Sequence, residues 1–209
     1  MALQGRTAAE EGKNHVHQQL RWADAHQLTG QLWVGGELDQ ADRDRAHLQL
    51  NELTVSSGID TIIDCRYEAS DIDWVTEAAS QVEYVHLGIE DSGLWMPDDW
   101  FDEGTEFALD QIARGHTVLA HCQAGINRGP SMAFAVLIAQ GWDAIEALDH
   151  IRAVRPIAQI GYAEDATLWT VLKAGGSAAE AKEQMNRVRR WRSSVGLPRR
   201  SQGRYDEPR

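Results

Sequence analysis

An α/β domain is what the sequence predicts, on three observations. Apolar runs of strand length alternate with segments of helical period up to His121; everything after that point reads as helical; and glycine and proline stand where the helices should stop. Strands are expected over residues 31–34, 59–65, 83–89 and 117–121, which makes one sheet of four strands. The last of them, TVLAH, has the uninterrupted apolar character of a central strand.

Helices fill the intervals. The first is expected over residues 41–53, a second with a weaker period over 71–79, and a third over 98–114. Pro97 opens that third helix with Asp98 and Asp99 as capping candidates, and Gly115 closes it. Further helices are expected over residues 130–140, 143–154, 163–173 and 178–191, separated by Gly141, Pro156 and the pair Gly175 and Gly176.

A chain of 209 residues with 43% hydrophobic content can bury one good core, so the organisation expected is a single domain with additions. Residues 1–24 form an N-terminal extension, 25–175 the domain, 176–192 a C-terminal helix and 193–209 a basic tail whose composition suits disorder. No apolar signal region occupies the first twenty residues, and the run MAFAVLIA is too short to span a bilayer, so no membrane association is expected. Two cysteines far apart in sequence suit a reducing compartment, and a cytoplasmic location is the expectation.

The formal net charge of −12 argues against nucleic acid as a partner, because backbone binding is driven by lysine and arginine. The charge is uneven: residues 181–209 carry nine Lys+Arg and three Asp+Glu, a net of +6 behind a strongly acidic body. That end reads as a solvated helix and tail, with docking to an acidic partner as the alternative. The histidines show no metal-ligand spacing, and neither a metal nor a cofactor is expected.

One stretch carries chemistry. In HCQAGINRGPS the central strand ends at His121, Cys122 opens a loop, and a helix follows at Pro130. Successive backbone N–H groups at the amino end of a helix converge on a point of positive potential, which makes an anion site of Gln123, Ala124, Gly125, Ile126 and Asn127. Gly125 permits a backbone conformation that a side chain would obstruct, and Arg128 supplies a planar fork matching two phosphate oxygens. The same field favours the thiolate of Cys122, so the loop reads as a nucleophile inside a phosphate cradle.

His-Cys, five residues and arginine resemble the signature loop of the cysteine-dependent protein tyrosine phosphatase superfamily, and most nearly its compact dual-specificity branch. LWVGGELDQA, IDTIIDCRYE, YVHLGIED and HIRAVRPIAQIGYAEDA follow the order of segments in that branch, over about residues 30–173. The resemblance implies a mostly parallel central sheet flanked by helices, and makes residues 25–175 a catalytic domain acting on phosphorylated proteins without a metal. It implies two steps: Cys122 attacks phosphorus to give a phosphocysteine, then water hydrolyses it. Asp91 is the general acid it implies, with Asp98 and Asp99 as competitors better explained as helix caps. His121 supports the loop in this reading, and Cys65, at the end of its own strand, is a candidate disulfide partner for Cys122. Members commonly carry Ser or Thr after the arginine, where this chain has Gly129, and Asn127 or Ser131 would have to supply the missing hydroxyl's role. Two further readings follow: a phosphatase for phosphoinositides or nucleic-acid 5′ phosphates, and a phosphate-binding module of low turnover.

Overall fold

The structure, a computed structural model, describes residues 20–198. Most of the expected N-terminal extension, and the tail beyond Pro198, lie outside the described residues. In chain order the elements are β1 (Ala25–Gln27), β2 (Leu32–Gly35), α1 (Arg43–Asn51), β3 (Thr61–Arg66), α2 (Ile72–Ala78), β4 (Glu83–Ile89), α3 (Asp98–Ala113), β5 (Val118–His121), α4 (Arg128–Ala139), α5 (Ala144–Val154), α6 (Ala163–Lys173) and α7 (Ala178–Ser194). A turn of π-helix, Glu52–Ser56, continues α1.

The sheet has five strands in the order β1-β2-β5-β3-β4, one more than the sequence suggested. The addition is β1, a three-residue strand antiparallel to β2; AHQ is too short and too polar to stand out from a loop. The other pairings are parallel, with β5 seated between β2 and β3 as its apolar run implied.

Strand alternation gives each face of the sheet a core of its own. Leu32, Val34, Ile63, Cys65, Val118 and Ala120 face α3 and the helices from α4 onward, while Trp33, Ile62 and Leu119 face α1 and α2. Met132 through Leu137 of α4 are wholly buried on all sides of the helix, so α4 is the central pillar and not an amphipathic surface helix.

The helix ends carry local signals, and some of them fall away from the expected residues. Asp143 is the N-cap of α5, accepting from the Ile145 and Glu146 N–H groups, and Ser177 caps α7 in a reciprocal capping box with Glu180. The fourth helix begins at Arg128 and not at Pro130, which places Arg128 in the helix's first turn and shortens the loop before it. α7 runs to Ser194 and Leu197 packs against the core, so the basic tail does not begin at Ser193. Arg192, expected as a solvated charge, is buried, with Nη1 donating to the carbonyls of Gln159 and Ile160. No helix among the described residues is long and apolar enough to cross a membrane.

Because β2, β3, β4 and β5 run parallel, the segments that follow them emerge at one edge of the sheet, where open α/β sheets place their sites.

Candidate active site

The loop from Cys122 to Asn127 is held open by its own carbonyls. Gln123 O accepts from Glu37 N–H (3.0 Å), Ile126 O from the N–H groups of Gln159 (2.9 Å) and Ile160 (3.2 Å), and Asn127 O from Ser131 N–H (2.8 Å). Ala124 O and Gly125 O accept from Nη2 and Nε of Arg155, at 3.0 and 2.7 Å. The C=O and N–H of a peptide point in opposite directions, so drawing these five carbonyls outward turns the N–H groups of Ala124 through Arg128 inward. That convergence, at the amino end of α4, has the geometry the sequence reading expected of an anion cradle. Gly125 has φ +60°, and a Cβ there would sit 2.4 Å from Arg155 Nη2 and 2.7 Å from the Gly35 carbonyl, so only glycine fits.

Cys122 is buried beneath this loop. Arg128 is buried as well; its Nη1 donates to Glu68 (2.8 Å) and to Ile89 O (3.0 Å), and its Nε has no hydrogen-bond partner among the described residues. A buried guanidinium donor left open is unusual in a folded protein and marks the edge available to an anion. Burial opposes the charge on Arg128, but Glu68, Cys122 and Asp91 around it more than offset this, and Arg128 binds its proton more tightly than usual. Its guanidinium in turn holds the Glu68 carboxyl below the usual range.

Asp91 faces the loop from the segment after β4. Its Oδ1 accepts from the Tyr162 hydroxyl (2.6 Å), and its Oδ2 accepts from Asn127 Nδ2 (3.3 Å) and lies 3.9 Å from Arg128 Nε. Asp98 and Asp99 are exposed in the first turn of α3, where Asp99 accepts from Trp100 N–H. The structure brings Asp91 to the loop and records no such contact for the other two.

Beneath the cradle lies a buried charge network that the sequence reading missed. Arg66 is fully buried and donates to Asp64 from Nε (2.9 Å) and Nη2 (2.8 Å), to Asp71 (2.7 Å) and to Glu37 (3.1 Å). Asp64 also accepts from the Tyr84 hydroxyl (2.7 Å) and lies 3.6 Å from His121 Nε2. Burial raises the cost of ionising Asp64, but Arg66, His121 and Tyr84 outweigh it and its pKa falls. His121 is sealed in, and burial lowers its pKa, against the pull of the Asp64 carboxylate. Its Nε2 lies toward Asp64, and the ring also interacts with the Cys122 backbone.

Register explains the second cysteine. β3 and β5 pair with Asp64 opposite His121, so one step further places Cys65 opposite Cys122, and both belong to the same core face. Both are free, and burial, then the neighbouring Cys122 and Asp64, push the Cys65 thiol's pKa well up.

Gly129 also has a steric reason. A Cβ there would lie 2.9 Å from the carbonyl carbon of His121 and 3.0 Å from the backbone nitrogen of Cys122, so α4 approaches the strand end too closely for a side chain. Ser131 Oγ accepts from Tyr162 N–H (3.1 Å) in the interior, so it is turned to the α6 side. Glu37, Glu68, Asp24, Arg155 and Tyr162 complete the surroundings. None was identifiable in advance, because each reaches the loop from a segment remote in sequence. Arg155 is paired through Nη1 and Nη2 with Asp24, at 2.8 and 2.7 Å. No group of three or more His, Cys, Asp or Glu residues suited to a metal occurs among the described residues.

Known proteins are similar to this chain in sequence and in fold. Protein phosphatase Slingshot homolog 3 of Mus musculus is 35% identical over 74 residues, which cover 35% of this chain and 11% of the mouse protein. Tyrosine-protein phosphatase yvh1 of Schizosaccharomyces pombe is 32% identical over 74 residues, covering 35% of this chain and 22% of the yeast protein. The chain therefore spans well under two thirds of either relative. A crystal structure of PTPMT1 in complex with PI(5)P superimposes with a TM-score of 0.58 at 21% identity, covering 80% of this chain and 99% of that one, a likeness of fold. The family model for the dual specificity phosphatase catalytic domain matches residues 44–165, more than half of the sequence and the span that carries Cys122, Arg128 and Asp91, and the chain belongs to that family.

Proposed function

We propose that the protein is a cysteine-dependent phosphomonoester hydrolase acting on phosphotyrosine, with phosphoserine and phosphothreonine as further candidates, in phosphorylated proteins. The observation that carries this reading is the set of five outward-drawn carbonyls from Gln123 to Asn127, which leaves an amide cradle over Cys122 with the open Nε of Arg128 beside it. In the first step Cys122 Sγ forms a bond to phosphorus as the ester oxygen leaves, and Asp91 gives that oxygen its proton. In the second, water attacks phosphorus, Asp91 takes a proton back, and the sulfur leaves as thiolate. The amides and Arg128 bind the charge that gathers on the phosphoryl oxygens. His121 supports the loop through its place beside Asp64 and takes no part in proton transfer.

The test is hydrolysis of an aryl phosphate with vanadate as inhibitor. Cys122→Ser abolishes turnover and retains phosphate-ester binding, since the cradle is backbone and Arg128; residual turnover above a few per cent removes Cys122 from the role of nucleophile. A low-turnover phosphate-binding module is the second reading, favoured by Gly129, where no hydroxyl can assist the departing sulfur. Sustained vanadate-sensitive turnover rules it out. The loop carries no lysine, which argues against highly anionic head groups as substrates.

A further inference from the structure

Asp91 lies on an exposed stretch: Asp91, Ser92 and Leu94 are open to solvent, and Gly93 takes φ +73°. A carboxylate in such a place samples several rotamers, and only a fraction of them aim at the cradle. What fixes it comes from a segment 71 residues further along the chain. Tyr162, just before α6, is buried to 1% exposure within the main core, its N–H bonded to Ser131 Oγ of α4. Its hydroxyl reaches out of that core and makes two bonds at once. It donates to Asp91 Oδ1 at 2.6 Å and accepts from Gly93 N–H at 3.2 Å.

Those two bonds tie both ends of the Asp91-Ser92-Gly93 turn to one rigid atom. A second tie three residues on, Met96 N–H to Asp165 Oδ2 at 2.9 Å, anchors the rest of the segment to the same helix. A phenol has one proton to donate, and here it is committed to Oδ1. An oxygen already accepting a short hydrogen bond is the poorer place for a further proton. The other oxygen, Oδ2, is the one that faces Asn127 at 3.3 Å and Arg128 Nε at 3.9 Å.

We propose that Tyr162 is a positioning residue: its hydroxyl latches the Asp91 segment against the cradle and makes Oδ2 the oxygen that exchanges protons with the leaving group and with water. The latch works in both steps. Oδ1 remains an acceptor whether Asp91 is protonated or ionised, so Tyr162 keeps its bond while the proton on Oδ2 departs and returns. This rests on the reading of Asp91 as general acid, and the test separates the two.

The variant is Tyr162→Phe, which keeps the ring in the core and removes one oxygen. Steady-state kcat/KM is measured with two aryl phosphates, one whose phenol leaves readily without a proton and one whose phenol does not, for the parent, Tyr162→Phe and Asp91→Asn. The quantity read is the ratio of poor to good substrate, which does not depend on how much of a preparation is folded. Losing one hydrogen bond to a charged group lowers that ratio about 10-fold in Tyr162→Phe, and Asp91→Asn lowers it by about 100-fold or more. A merely structural role would slow both substrates alike and leave the ratio unchanged. If the ratio falls in Asp91→Asn but not in Tyr162→Phe, the latch is wrong and the general acid stands. If neither variant moves it, the assignment of Asp91 fails and takes the latch with it.

Discussion

Replacing Gly129 by alanine is the cleanest probe of how tightly α4 is set against the end of β5. Alanine within a helix ordinarily stabilises it by about 1 kcal/mol relative to glycine. At this position the new Cβ meets three backbone atoms, the carbonyl carbon and Cα of His121 and the nitrogen of Cys122, at 2.9, 3.0 and 3.0 Å. Backbone cannot rotate away as a side chain does, so either α4 retreats or the end of β5 shifts. Overpacking of this kind costs about 1–3 kcal/mol, which cancels the helix gain of about 1 kcal/mol and leaves a net loss of up to about 2 kcal/mol. Urea denaturation reads it as a lower midpoint with unchanged slope. A Gly129→Ala protein about 1 kcal/mol more stable than the parent, as helix propensity alone predicts, would refute the steric account. Serine carries the same Cβ and adds a hydroxyl, so the pair separates packing from chemistry. Rapid mixing of the parent with an aryl phosphate should release about one equivalent of phenol before a slower steady rate. Alanine should leave that burst in place, and serine should shrink it; no burst in the parent means that sulfur departure is not slow.

Three other outcomes follow from the site. His121 has its pKa lowered by burial, so the unfolded chain binds a proton near pH 6.5 that the folded chain refuses; the contribution is complete above about pH 6.5 and is lost as pH falls toward the lowered value, by at most about 1.4 kcal/mol per pH unit. Urea midpoints between pH 7 and 5 should fall less steeply in His121→Gln, and equal slopes would show that the ring is protonated where it lies. Peroxide should convert Cys122 to its sulfenic acid, and the Cys65 thiol, set opposite by the β3–β5 register, then condenses with it to a disulfide and water. Peptide mapping that finds only sulfenic or sulfinic Cys122 removes Cys65 as the partner. Arg155→Lys should raise KM for aryl phosphates and cost about 1–3 kcal/mol of stability, because one ammonium cannot serve Ala124 O, Gly125 O and Asp24 together; a variant with parent KM would show that the cradle holds its shape without that fork.

What the sequence determined by itself is whatever depends on neighbours along the chain. Strand and helix periods placed β4 and α6 at their observed ends, because an alternating run and an amphipathic run are local patterns. The succession His121, Cys122, Gly125, Arg128 was legible as a candidate phosphate loop because a strand end, a loop and a helix start lie within a few residues of one another, and the row of amides they form is built from backbone. The tertiary structure decided what holds that loop and what faces it. Arg155 draws back two of its carbonyls from 30 and 31 residues away, Glu68 shares Arg128, Tyr162 holds Asp91, and the short polar β1 brings Asp24 to Arg155. Gly129 shows the division most plainly. The sequence marks a missing hydroxyl there, and only the approach of α4 to the end of β5 shows a backbone standing where the next carbon would go. Hydrogen bonds between segments distant in sequence leave no period to read, since each partner's position is set by the packing of the whole core and not by its neighbours.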